Sequence, residues 1–161
     1  MTILHPIPPV FDPASEILIL GSFPSVKSRE SGFFYGHPQN RFWRVTAAVM
    51  EMPVPETVAE KQAFLHASHI AIWDVIACCE IEGSADSTIR NAVPNDLSVI
   101  LSAAPIRQIF VNGAAAEKYY ARYQRPKTGI AAVRLPSTSP ANAAWSFARL
   151  CEAWQVIRSI E

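Results

Sequence analysis

Four short apolar runs punctuate this chain: residues 16–22 (EILILGS), 69–76 (HIAIWDVI), 106–113 (IRQIFVNG) and 130–137 (IAAVRLPS). Each is bounded by turn or polar residues and is too short for a buried helix, which is how strands covered on both faces read. Between them lie helical patterns at 41–50, 55–68, 96–103, 113–123 and 140–160, where apolar residues recur every three or four positions. Strands separated by helices cannot be joined as tight hairpins, so they pair in parallel through crossovers. The expected fold is therefore α/β: a three-layer α/β/α arrangement with a central four-stranded parallel sheet and helices on both faces.

In such sheets ligands bind beyond the carboxyl ends of the strands, which singles out the loops 21–40, 74–95, 112–115 and 135–142. At 161 residues, half of them hydrophobic, the chain suits one domain, 1–161, burying roughly two-thirds of its unfolded surface. Thirteen prolines against six glycines imply stiff, ordered loops. A net charge of zero and a pI of about 6.9 give no overall field for a polyanion, so a nucleic-acid partner needs a local basic patch. Three cysteines, Cys78, Cys79 and Cys151, are too few and too badly spaced for a zinc site, a four-cysteine cluster or a disulfide framework, which fits a reducing cytoplasm. The opening MTILHPIPPVFDP has no basic leader, and no stretch reaches 18 uninterrupted apolar residues. The expectation is a cytoplasmic protein, neither secreted nor membrane-spanning.

The first of those loops runs into a helix as GSFPSVKSRESGFFYGHPQNRFW (21–43), with four of the eight phenylalanines and three of the six glycines. It has no GxGxxG and no GxxxxGK followed by Ser or Thr, which removes nucleoside triphosphates as ligands. Backbone amides beside exposed rings make instead a floor for a flat heterocycle. With GHPQNRFW entering a helix and LPSTSP ending the last strand, the layout resembles the uracil-DNA glycosylase superfamily, and within it the DNA-deoxyinosine (hypoxanthine-DNA) glycosylase branch. The likeness spans the strand and loop order of nearly the whole chain. It implies a monomeric enzyme of base excision repair, without metal or cofactor. Such an enzyme flips a deaminated base, hypoxanthine favoured, out of DNA and hydrolyses its N-glycosidic bond to leave an abasic site. Two positions depart from uracil glycosylases: Ser22 stands where they carry Asp or Asn for the attacking water, and Leu135 where they carry His or Asn. Both departures argue against efficient uracil excision.

By the same resemblance Asn40 positions the water. An amide can orient water but cannot act as a base near neutral pH, and a sugar that is already oxocarbenium-like needs no strong nucleophile. Asn40 has an equally good structural use as N-cap of the helix at Arg41. Tyr35 takes the place of the aromatic that stacks on the extruded base, or is a loop aromatic closing the core. Gly21, Ser22 and Phe23 edge the pocket. Asp74 occupies the place where uracil glycosylases read the base edge with Asn; a carboxylate accepts the lactam N1–H that hypoxanthine has and adenine lacks. Its plain alternatives are a helix cap or a partner for Arg90. His37 meets the departing purine, or is a turn residue before Pro38.

Ser25, Ser137, Thr138, Ser139 and Pro140 form the expected DNA-phosphate and intercalation loop, with helix initiation at Ser139 and Pro140 as the plain reading. Lys27, Arg29, Arg41, Arg44 and Arg90 would supply the local basic face. The connector 84–96 is polar, of a kind that could reach toward the DNA or the purine, with no assignable chemistry of its own, while Trp145, Leu150 and Trp154 read as core. His5, His37, His66 and His69 form no HxH or HxxE pattern, so no metal is expected. Three rival readings remain: a uracil or mismatch-type glycosylase, a small-molecule nucleoside hydrolase, and a damaged-DNA-binding module without turnover. The second needs carboxylates that these loops scarcely offer.

Overall fold

The computed structural model describes residues 1–159. Its strands are β1 (Thr2–Leu4), β2 (Ile17–Gly21), β3 (Ile70–Asp74), β4 (Ile76–Glu80), β5 (Arg90–Pro94), β6 (Gln108–Asn112) and β7 (Ala132–Leu135). Strands β2, β3, β6 and β7 are the four expected apolar runs. They form one all-parallel sheet in the order β3-β2-β6-β7. Every residue of β2 and β3 is buried, which is why these runs show no polar alternation.

The helices are α1 (Val26–Ser31), α2 (Phe42–Met50), α3 (Val58–Ala67), α4 (Ser98–Leu101), α5 (Ala114–Tyr119), α6 (Arg125–Thr128), α7 (Phe147–Trp154) and α8 (Val156–Ser159), with a π-turn over Tyr120–Gln124 joining α5 to α6. Helix α5 packs on β2, β6 and β7, α3 on β3, and α2 against α7. Among the described residues no helix is long and apolar enough to cross a membrane.

Three local expectations are corrected. The segment 74–95 is not a loop: β4 and β5 make an antiparallel hairpin, with β1 added on the far side of β4. The hairpin was hidden because β4 follows β3 after the single residue Val75, so the two read as one run. Two buried amides stabilise this corner. Asn95 Nδ2 donates to the carbonyls of Asp74 and Ile76, and Gln124 Nε2 to those of Val75 and Asn95. Carbonyls left between two sheets are thereby satisfied.

The loop 21–40 contains α1, capped by Ser25 and ended by Gly32 at φ +77. The last helix does not start at Pro140. Residues 139–145 are turns, and α7 begins after Ser146, whose Oγ accepts the Arg149 N–H. The Arg41 guanidinium donates to the carbonyls of Asn142 and Trp145, which holds that segment off a helical path. Leu150 and Trp154 are fully buried as expected, but Trp145 is only half-buried at the core's edge. Ile160, the expected end of this helix, lies outside the described residues.

Candidate active site

Loops from the carboxyl ends of β2, β3, β6 and β7 surround a cleft of about 160 Å3, roughly half the smallest volume typical of a drug-sized ligand and on the scale of one base. Gly21, Ser22, Phe23, Ser25, Tyr35, His37, Asn40, Asp74, Ser137, Thr138, Ser139 and Pro140 all line it. Phe34, Ser84, Asp86 and Asn112 line it too, and sequence reasoning gave none of these a role.

Gly21 and Asp74 are register partners on β2 and β3. A Cβ on Gly21 would lie 2.4 Å from Asp74 Oδ1 and 3.4 Å from Tyr35 Oη, so it is the approach of the carboxylate that requires glycine. Neither plain alternative for Asp74 holds, because its partner is His5 from the N-terminal segment. His5 Nε2 meets Asp74 Oδ2 at 2.7 Å, with both side chains nearly buried. His5 Nδ1 accepts the Ile7 N–H, so the ring proton is on Nε2 and is donated to Asp74. Phe23 packs edge-on against that imidazole.

Tyr35 sits at φ +53, a conformation a bulky residue adopts only under constraint and one that concentrates at functional sites. Its ring stacks on Phe42 with centroids 3.9 Å apart, meets Trp43 in a T-shaped contact, and lines the cleft. Its hydroxyl is buried and makes no hydrogen bond. Burial, and then the Asp74 carboxylate, raise its pKa well above the usual phenol value, with the nearby Asn112 amide opposing.

Asn40 caps the chain entering α2 from the position before the N-cap, Arg41. Its Oδ1 accepts the Phe42 N–H at 2.9 Å at the start of α2, and a carbonyl oxygen retains a second lone pair for water. His37 Nδ1 accepts the Gln39 N–H, so it does act as a turn residue, while its ring still lines the cleft.

The loop after β7 differs from a helix N-terminus with free amides. The Thr138 N–H goes to Asn112 Oδ1, Ser139 N–H to Ser137 Oγ, and Ala141 N–H to Ser139 Oγ. Asn112 Nδ2 returns a bond to Thr138 Oγ1, and Thr138 is fully buried. Thr138 is therefore an anchor rather than a wedge. Ser137 and Ser139 accept with their oxygens and keep their hydroxyl protons to donate outward.

The basic face is smaller than expected. Arg41 is bound to the 139–145 segment, Arg29 donates to the carbonyls of Pro24 and Gly83, and Lys27 lies beside Glu30. Arg44 and Arg90 remain exposed.

Ser22 does not stand alone: its Oγ donates to Asp86 Oδ1 at 2.7 Å. As a residue Asp86 is exposed, yet its carboxyl is crowded enough that desolvation raises its pKa, with Ser22 opposing and Asp74 adding. Among the described residues no group of three or more His, Cys, Asp or Glu side chains is placed to hold a metal ion.

A base-sized cleft at the strand ends, lined by an aromatic and by a hydroxyl-bearing loop, fits an enzyme that takes a base out of the stack, as the DNA glycosylases do. Comparison with known proteins agrees: the family model described as Uracil DNA glycosylase superfamily matches residues 8–158, and the chain belongs to that superfamily. Within it, the chain is 36% identical over 152 residues to a hypoxanthine DNA glycosylase of Methanosarcina acetivorans, covering 93% of this chain and 94% of the relative. A hypoxanthine DNA glycosylase of Methanosarcina barkeri is 32% identical over 114 residues, 70% of this chain and 72% of the relative. A Methanosarcina acetivorans protein with the working assignment of uracil DNA glycosylase has a solution NMR structure that superposes with a TM-score of 0.83. It is 34% identical, over 99% of both chains.

Proposed function

We propose that the protein is a monofunctional DNA glycosylase of base excision repair that extrudes a deaminated base, hypoxanthine first, and hydrolyses its N-glycosidic bond to leave an abasic site. Residues 1–161 act as one catalytic domain and as a monomer, in the cytoplasm, where the three thiols stay reduced. The observation that carries the base assignment is the placement of the Asp74 carboxylate. His5 holds one carboxylate oxygen, and the other stands at the cleft beside Gly21. An ionised carboxylate only accepts, so it pairs with N1–H of hypoxanthine and repels the lone pair at N1 of adenine. The Methanosarcina relatives named for hypoxanthine support the same choice.

The chemistry follows from the remaining lining. Tyr35 stacks on the extruded base, which is worth about 1–3 kcal/mol and barely discriminates between bases. The C1′–N bond breaks with its electron pair moving to the base, and water held by the free lone pair of Asn40 Oδ1 captures the sugar cation. Ser25, Ser137 and Ser139 flank the path of the backbone, and Pro140, half-exposed, is the residue of that loop that meets the duplex.

The test is incubation of the protein with duplexes containing deoxyinosine, deoxyuridine, deoxyxanthosine or a G·T mismatch, followed by alkaline cleavage of abasic sites. Breaks are expected first at deoxyinosine, and no breaks on any duplex would refute the assignment. Binding to the deoxyinosine duplex without cleavage selects a non-catalytic module. Asp74→Asn, which replaces one accepting oxygen by a donor, should erode the preference for deoxyinosine; an unchanged preference removes Asp74 from base recognition.

A further inference from the structure

The superfamily's first-loop acid is missing from the β2 turn, where Ser22 stands, but a carboxylate arrives there from elsewhere in the chain. Ser22, 8% exposed, donates its hydroxyl proton to Asp86 Oδ1 at 2.7 Å across 64 residues of sequence. Asp86 opens a short 3-10 turn between β4 and β5, and that turn is pinned. Thr88 Oγ1 donates to Ala85 O and accepts the Glu82 N–H, while Ser84 Oγ accepts the Val26 N–H and Arg29 reaches Gly83 O. The hairpin tip is thus tied to the first loop. Asp86 lines both the base-sized cleft and an adjoining cavity of about 540 Å3, which share Asn112, Ser137 and Ser139. It stands at the junction of the two. Its second oxygen has no hydrogen-bond partner among the described residues.

We propose that the Asp86 carboxylate, held by Ser22, accepts the proton of the attacking water, so that a second segment restores the acid the first loop lacks. This rests on the glycosylase reading above. Asn40 and Asp86 divide the work, because an amide orients water but takes no proton, whereas a carboxylate does. The C1′–N bond breaks with its pair going to the base, the water oxygen bonds to C1′, and the surplus proton moves to Asp86. The base is then protonated from solvent, and Asp86 returns its proton there. Desolvation makes this carboxylate more basic than a free one, with Asp74 adding and Ser22 opposing; Tyr119 and Cys79 also feel its charge.

The test is single-turnover excision on a deoxyinosine duplex. Asp86→Asn keeps an acceptor for Ser22 and the residue's shape, so duplex binding should hold and the melting temperature should not fall. The rate should fall about tenfold or more, and the acid limb of the pH–rate profile should disappear. Asp86→Ala should be slow and regain rate with added formate, which supplies the carboxylate even if the asparagine variant folds poorly. If the wild type cleaves while Asp86→Asn stays within about twofold with its acid limb intact, the proposal is overturned. A wild type inert on every duplex removes the glycosylase reading and this inference with it.

Discussion

Gly21→Ala tests how tightly the end of the parallel sheet is built around Asp74. In an unconstrained strand, alanine would be the better residue, since glycine costs roughly 0.5–1 kcal/mol relative to it. At this position the new methyl carbon would sit 2.4 Å from Asp74 Oδ1, about 1 Å inside ordinary contact. Asp74 cannot swing aside cheaply. It is 4% exposed, and its other oxygen is fixed at 2.7 Å on His5. Overpacking of this kind costs about 1–3 kcal/mol, and displacing the carboxylate also weakens the bond to His5. A net loss of about 2 kcal/mol corresponds to a fall in Tm of about 4–8 °C for a chain of this size.

Urea denaturation of a double-mutant cycle with Asp74→Ala isolates the contact. Once the carboxylate is gone the cost of Gly21→Ala should nearly vanish, giving a coupling of about 1–2 kcal/mol, within the range for residues in contact. A Gly21→Ala protein that is stabilised, or that loses the same amount in both backgrounds, would falsify the steric argument.

Asn40→Ala should lose about 1 kcal/mol of stability as the Phe42 N–H is left without its cap. It should lose far more in excision rate, while Asn40→Asp keeps the cap; a folded Asn40→Ala with full rate would leave capping as the residue's whole role. Tyr35→Phe removes a buried hydroxyl that makes no hydrogen bond, so Tm should hold or rise and excision should persist. Tyr35→Ala should weaken binding of the damaged duplex by about 1–3 kcal/mol, and equal binding by both variants counts against stacking. Arg41→Met frees the Asn142 and Trp145 carbonyls and should cost about 1.5–3 kcal/mol, with faster proteolysis within 139–145 and a raised KM for DNA. Because the folded pKa of Asp86 lies above its ordinary 3.8, the folded state binds more protons than the unfolded state in that interval. Stability therefore falls as pH rises through it. Asp86→Asn should flatten that slope and be more stable than the wild type at neutral pH, and matching pH–stability curves for the two proteins would contradict this account.

The parallel sheet was legible because burial of β2 and β3 on both faces leaves a purely apolar run, a signal that needs no knowledge of partners. The loops carrying the site were legible for a related reason, since strand direction alone puts them at one edge. The Gly21 and Asn40 loop could be recognised because its motif is contiguous. The antiparallel hairpin was not legible, as β4 abuts β3 and β5 (RNAVP) is polar, short and ends in proline.

The partners that set the chemistry are joined across the chain: His5 to Asp74 over 69 residues, Ser22 to Asp86 over 64, and Asn112 to Thr138 over 26. Hydrophobic period and turn chemistry are local and survive in one dimension. Which oxygen meets which donor depends on how two sheets meet at Val75 and where an N-terminal strand lands. The sequence alone therefore carried the placement of the cleft, while the folded chain decided which side chains in it are held, which are open, and where a carboxylate stands beside Ser22.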